Sequence, residues 1–246
     1  MCNFLGGIAV ALLRLDKYLS DCGVCSRREA RALIKSGRVT LDGTAAAAVD
    51  AKVDPDSARI MLDGQELCYQ RFHYYMLDKP LGVVTATEDR RQQTVLDLLP
   101  SALKQWKLFP VGRLDKDTGG LLLLTDDGDF AHRVISPKNE VWKCYLAETE
   151  GRVTPDDAAA FAAGLTLKDG TVCLPAMLEA LEGCRCLVRV REGKYHQVRR
   201  MLASRGKPVI SLRRLSIGSL SLPRDSSPGD ITELREDDLC RVFMDK

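Results

Sequence analysis

Most of the features that would assign this sequence to a function class quickly are missing. Nine cysteines are an odd number without a spaced framework, and the one Cys-x-x-Cys, Cys22 to Cys25, has no second pair at zinc-finger spacing. The thiols are therefore read as reduced, no metal is expected, and the expected location is cytoplasmic. There is no dinucleotide fingerprint, no internal repeat and no heptad pattern, so a nucleotide-linked oxidoreductase, a solenoid and a coiled-coil interface are not indicated. A monomer is expected. The acids Asp126, Asp127 and Asp129 lack the calcium-loop spacing and read as turn residues. The apolar start, Met1 to Leu13, has no basic beginning and no clear cleavage site, and it is too short to span a bilayer. Residues 1–13 are expected to be an extension arising from a start assigned upstream of the true one, and no membrane association is expected.

A strong net charge is also missing. The total of +2 would not announce a nucleic-acid partner, but it hides an uneven distribution. Residues 185–215 carry ten Arg or Lys against the single acid Glu192, whereas residues 225–245 carry seven acids against Arg235 and Arg241. The basic segment requires an anionic partner or several internal acids. At 246 residues the chain is long enough for a small domain joined to a larger one.

Residues 14–22 read as a short amphipathic helix with Leu15 and Leu19 on one face, stopped at Cys22-Gly23. Ser26-Arg27-Arg28-Glu29 is a capping box, the serine accepting from the first turn and the glutamate reaching back. In the helix that follows, Ala30, Leu33 and Ile34 form the apolar stripe. Arg27, Arg31 and Lys35 recur along another face, and Gly37 supplies the left-handed stop. Arg38 to Gly43 continues as a strand into a tight turn. A charged helix face is most often merely solvated, but Arg14-Leu15-Asp16-Lys17-Tyr18-Leu19, Ser26-Arg27-Arg28 and Gly37 to Gly43 resemble the RNA-binding domain shared with a small-subunit ribosomal protein. That resemblance implies a small α/β RNA-binding domain over 14–68, with Arg27, Arg28, Arg31 and Lys35 as RNA contacts. The alanine run Ala45 to Ala48 departs from the pattern and reads as a loop insertion.

A polar, aromatic stretch from Leu67 to Phe72 reads as a linker into a larger domain over 72–246. Apolar runs at Tyr74–Leu77, Gly82–Thr85, Gly120–Thr125, Trp142–Ala147 and Cys186–Arg191 predict strands. Helices are predicted at Thr94–Leu99, Asp129–Ile135, Thr154–Ala163 and Gln197–Ser204. Their order is too irregular for a repeated βαβ unit, so the expected class is α+β, with a mixed, mainly antiparallel sheet flanked by helices.

The candidate chemistry centres on Asp115, in a polar, glycine-punctuated loop, Val111-Gly112-Arg113-Leu114-Asp115-Lys116-Asp117-Thr118-Gly119-Gly120, between a proline and an apolar strand. Taken alone, Asp115 would be an ordinary turn cap. The whole string, with Leu121-Leu122 and Thr125-Asp126-Asp127-Gly128 after it, is similar to the catalytic motif of the pseudouridine synthase family. The resemblance implies isomerisation of uridine without a cofactor, with Asp115 as nucleophile or base at the sugar carbon. A carboxylate suits that role, because it can attack or support a carbon on which positive charge develops.

Val190 to Leu202 resembles the family's third segment, which makes Arg199 the basic partner of the catalytic carboxylate. Tyr145, in Lys143-Cys144-Tyr145-Leu146, matches the family's active-site tyrosine and is implied to lie against the target base. Arg113, Lys194, His196 and Arg200 are read as RNA contacts. The target uridine must leave its stack at a cost of a few kcal/mol, which phosphate contacts have to offset.

Ser136-Pro137-Lys138, Pro175 to Glu179 and above all Tyr195-His196 resemble the branch that modifies 16S ribosomal RNA, within a small-subunit precursor particle. A large-subunit 23S enzyme is the nearest alternative. A non-catalytic assembly factor would use the same basic surfaces without needing Asp115, Tyr145 and Arg199 together. A nuclease or glycosidase would need a metal cluster or a second carboxylate, for which only Asp117 is at hand.

Overall fold

The structure is a computed structural model, and it describes residues 12–46 and 48–244. The expected extension therefore lies almost wholly outside the described residues, as does Ala47 in the alanine run. The chain divides into two compact units, Met1–Phe72 and His73–Lys246.

In the first unit, β1 (Leu13–Arg14) leads into α1 (Leu15–Asp21) and α2 (Arg27–Lys35), followed by β2 (Val39–Leu41), β3 (Thr44–Ala45), β4 (Lys52–Val53), β5 (Ile60–Leu62) and β6 (Gln65–Glu66). The capping box is present in full: Ser26 accepts from the Glu29 N–H, and the Glu29 carboxylate accepts from the Ser26 N–H at 2.8 Å. A small antiparallel sheet runs β3-β2-β5-β6, and β1 pairs with β4. Leu15, Leu19, Ala30, Ile34, Val39 and Ile60 close one core between helices and sheet. Each fully buried aliphatic contributes about 1.5–3 kcal/mol. Leu67 and Tyr69, read as linker, pack on this core, and Leu67 accepts a hydrogen bond from the Tyr18 hydroxyl through its carbonyl at 3.1 Å.

The second unit is built on a nine-stranded mixed sheet. Its strands are β7 (Tyr74–Lys79), β8 (Phe109–Pro110), β9 (Thr118–Thr125), β10 (Lys143–Thr149), β11 (Met177–Ala180), β12 (Arg185–Val190), β13 (Val209–Ile217), β14 (Leu220–Ser221) and β15 (Ile231–Glu233). The order is β11-β12-β10-β13-β9-β7-β15, with β14 on β13 and β8 on β9. Every pairing is antiparallel except β13 with β9. The helices are α3 (Gly128–Ile135), α4 (Pro155–Ala163), α5 (Gln197–Ser204) and α6 (Glu236–Val242). The α+β class expected from the sequence is what the chain adopts.

The Leu121–Leu124 run is apolar throughout because β9 is covered on both faces. Leu121 and Leu123 pack with Phe130, Ala131 and Val134 of α3, while Leu122 and Leu124 pack with Val95, Leu99, Leu108 and Leu114. Farther along the sheet, Ala147, Cys186, Val188 and Val190 meet Phe161 of α4 and Met201 and Leu202 of α5.

Two expected elements do not form. Residues 82–85 make a turn and a single bridge from Val84 to Thr94 in place of a strand. Residues 94–99 are successive turns, not a helix: the Asp97 and Leu99 N–H groups close back three residues onto the Thr94 and Leu96 carbonyls at 3.2 Å, and Pro100 bars continuation. Among the described residues, no helix is long and apolar enough to cross a membrane.

Candidate active site

Asp115 lies on the loop that enters β9, and that loop is held from below. The Lys79 side chain, with no exposure to solvent, donates to the carbonyls of Asp115 (3.1 Å), Thr118 (3.0 Å) and Pro80 (3.1 Å). Burial pushes the Lys79 ammonium down to about 8, against the opposing pull of the Asp115 and Asp117 charges. The Thr85 hydroxyl donates to the Leu114 carbonyl at 2.7 Å, and buried Leu114 anchors the residue before the acid. Gly120 explains the double glycine: a Cβ there would lie 2.2 Å from the Arg214 carbonyl oxygen, so only glycine lets β9 and β13 pair in parallel.

The Asp115 carboxylate is about a third exposed, with its Oδ1 at 3.4 Å from Nε2 of His196. His196 adopts a left-handed conformation, φ +48°, at the N-terminal end of α5, and its ring stacks on Tyr195 at 3.9 Å between centroids. Backbone strain of this kind tends to collect at functional sites. Here it brings an imidazole to the acid.

Arg199 does not pair with Asp115. Its Nη2 donates to the carbonyl of Asp117 at 2.9 Å and reaches the Asp117 carboxylate at 3.0 Å, so it ties α5 to the residue two places along the loop. Lys194 is engaged by Glu192 at 2.5 Å and by the Val172 carbonyl, and Arg200 by Asp169 at 2.5 Å. Both cations belong to the segment read as phosphate-binding, and both are paired internally, Arg200 with an acid outside that segment. Arg113 is exposed, pairs with no carboxylate of the described residues, and lines the same cavity as Asp115.

That cavity, about 1560 Å³, is walled by Asp115, Arg113, Tyr145, His196, Lys143 and Arg214. The last two are cations to which the sequence reading assigned no place in the site. Arg214 is 4 % exposed; its Nε donates to the Leu121 carbonyl at 2.7 Å, its Nη1 to the Tyr145 hydroxyl at 3.4 Å, and its Nη2 is buried without a partner. Lys143 is 8 % exposed and pushed down to about 8, first by burial and then by the charge of Arg214. The apolar residues of 209–217 mark a strand, but the adjacent pair Arg213-Arg214 breaks the alternation, so the sequence carries no local signal that turns Arg214 inward.

Among the described residues, no cluster of His, Cys, Asp and Glu is arranged to hold a metal ion. In the first unit, Arg27, Arg28 and Lys35 are exposed on α2, with no ion pair to any described residue. Arg31 on the same helix is pinned to the fully buried Asp16 at 3.2 Å, which Arg14 also meets at 3.1 Å. Arg14 above all, then Arg31, holds the Asp16 carboxyl below the usual carboxylate range despite its burial.

Comparison with known proteins agrees with this arrangement. The model of the RNA pseudouridylate synthase family matches residues 73–204, and that of the S4 domain matches residues 13–57. An uncharacterised RNA pseudouridine synthase of Bacillus subtilis is 42% identical over 231 residues, 92% of this chain and 97% of that protein. Ribosomal small subunit pseudouridine synthase A of Escherichia coli is 38% identical, over 94% of this chain and 100% of that protein. A crystal structure of a pseudouridylate synthase superposes with a TM-score of 0.66 at 32% identity, covering 94% of this chain and 99% of that one. With the loop of Asp115, Tyr145 in the same cavity and an S4 domain earlier in the chain, the chain belongs to the RNA pseudouridylate synthase family.

Proposed function

We propose that this chain converts a specific uridine of 16S ribosomal RNA to pseudouridine within a small-subunit precursor particle, acting as a monomer in the cytoplasm. The observation that carries the reading is the meeting of Asp115 and Tyr145 in one cavity, beside cations with no counter-ion of their own. The target rests on similarity along nearly the whole chain to proteins named for the small ribosomal subunit.

In the isomerisation, the bond from the sugar carbon to the ring nitrogen breaks with its electron pair on the uracil. The ring turns, carbon five bonds to the sugar carbon, and the proton leaving carbon five is balanced by one gained at the nitrogen. Nothing is oxidised or hydrolysed, so no cofactor is called for. Asp115 supports or attacks the sugar carbon as positive charge develops. Tyr145 stacks on the extruded base, held by the hydrogen bond from Arg214, whose charge favours the electron-rich uracil. Arg199 is a positioning residue that fixes the loop through Asp117. Arg113 and His196 meet the nucleotide at the cavity mouth, while Lys194 and Arg200 contact RNA only by exchanging Glu192 and Asp169 for phosphates. Arg27, Arg28, Arg31 and Lys35 present the basic face of the S4 domain to RNA.

The test is to incubate the protein, without additives, with immature small subunits, 16S RNA and 23S RNA, and to map pseudouridine. Site-specific product in 16S RNA is expected, with Asp115→Asn slower by on the order of 10³-fold or more. Product confined to 23S RNA would move the target, and undiminished activity of Asp115→Asn would remove the assignment of the acid.

A further inference from the structure

The strands that carry the active cavity also have a back. Side chains alternate along a strand, so Lys143 and Tyr145 face the cavity while Trp142 and Cys144 face away; Val188 and Val190 face the helices while Leu187 and Arg189 do not. The register between β10 and β13 slips by one residue, with Cys144 opposite Ser216 but Tyr145 opposite Arg214. The extra residue, Leu215, joins Ser216 and Arg213 on the back and leaves Arg214 and Ile217 on the front.

On that back face lies a separate cavity of about 460 Å³, within the roughly 300–1,000 Å³ usual for ligand sites. Trp142, Met177 and Leu187 supply its apolar part, and Met177 is 53 % exposed. Arg189, Arg213 and Arg224 supply its charge, and no Asp or Glu lines it. Arg213 is neutralised by Asp78 at 2.5 Å. Neither Arg189 nor Arg224 has an ion pair or side-chain hydrogen bond with any described residue. The guanidinium of Arg191 lies 4.8 Å from the centre of the Trp142 ring and is itself held by Glu140 at 2.7 Å, which sets the indole in place.

An apolar floor with a fixed indole, rimmed by two uncompensated guanidiniums, matches the two ends of a nucleotide: a flat base and a phosphate. Position favours RNA over an acidic peptide. Trp142 and Arg189 are chain neighbours of Lys143 and Val190, which border the front cavity and the site pocket, so both cavities open at the same end of these strands. A strand whose uridine enters at the front can continue over residues 191–195 to the back. We infer that this cavity holds an unpaired nucleotide flanking the target uridine, its base on Trp142 and Leu187 and its phosphate between Arg189 and Arg224. This inference rests on the chain acting on RNA.

The experiment uses the full chain with Arg189→Glu/Arg224→Glu and, separately, Trp142→Ala. Binding is followed by fluorescence anisotropy on 16S and 23S fragments, each with its single-stranded flanks intact or trimmed. The double variant is expected to bind the flanked RNA about 10-fold more weakly, and its log-affinity slope against log salt to be shallower by about 1.4. Trp142→Ala is expected to lose about 5-fold or more with little change of slope. Neither variant should differ from the parent protein on trimmed RNA or in kcat at saturation. Equal affinity and slope on flanked RNA would overturn the inference, as would a defect that persists on trimmed RNA. So would binding of an acidic peptide that the double variant abolishes while RNA binding is unchanged. Pseudouridine is counted in the same samples, so a wrong target shows as unmodified RNA with the parent protein, while the binding comparison still decides the cavity.

Discussion

The basic residues of α2 and those around Asp115 are alike in composition and opposite in setting. Arg27, Arg28 and Lys35 are exposed and form no ion pair with any described residue, whereas Lys79, Lys143 and Arg214 are less than a tenth exposed. A hydrated guanidinium can attract phosphates at a distance but is screened within about 10 Å at 0.1 M salt. A buried one acts on whatever enters its cavity and carries a desolvation cost that the fold must bear. In the function proposed, the first kind supplies affinity, and the second supplies the charge pattern of the reaction.

The contrast is broken most directly at Arg214. Arg214→Gln should lower kcat by roughly 10³-fold, as removal of a preorganised charge does. RNA affinity should stay within a few-fold, measured by single-turnover rates and binding side by side. An affinity loss equal to the rate loss would put Arg214 in the same class as the α2 residues.

Lys143 sharpens the cost side. Its ammonium is pushed from 10.5 to about 8, so between these values the unfolded chain holds more protons than the folded one. Stability therefore rises with pH across that window. Lys143→Met is expected to stabilise the protein at pH 7 by about 3 kcal/mol, with a gain that shrinks as pH rises from 8 and is gone above 10.5. Thermal melts over that range measure it.

The surface class should behave in the reverse way. Removing the three side chains together, as Arg27→Ala/Arg28→Ala/Lys35→Ala, should weaken RNA binding about 10-fold at 0.1 M salt, flatten the salt dependence and leave kcat at saturation unchanged. Arg31 is intermediate and should show the smallest effect. Arg31→Ala should cost about 1 kcal/mol of stability by leaving buried Asp16 with Arg14 alone, read from urea unfolding.

This comparison also marks what the sequence could and could not convey. The capping box at Ser26, α4 with its proline start and α5 were legible because each is written in residues that are neighbours along the chain. Asp115 was legible for the same reason, in one unbroken motif. Arg199 was expected to pair with Asp115 and pairs with Asp117 instead: the two acids are two residues apart, and only the path of α5 decides which one the guanidinium reaches. Arg214 was hidden because nothing local separates it from Arg213 next to it. One faces Asp78 on the back of the sheet and the other Tyr145 on the front, and a register slip opposite β10 helps to set which is which. The short turns at 94–99 misled for a related reason, since a Thr and an Asp three apart close a turn as readily as they open a helix.

The place of β13 in the sheet has a consequence for how the enzyme comes into being. Before β13 is added, β11, β12 and β10 form one ribbon carrying Tyr145, and β7 and β9 form another adjoining the loop of Asp115. Neither ribbon touches the other as a strand neighbour. Among the described residues their seam is a segment translated roughly ninety residues after β9, joined to it by a parallel pairing, the kind of distant contact that forms slowly. During synthesis, the S4 domain emerges complete while the catalytic centre is still two separate halves. A nascent chain thus presents its S4 domain before Tyr145 and the loop of Asp115 share one sheet.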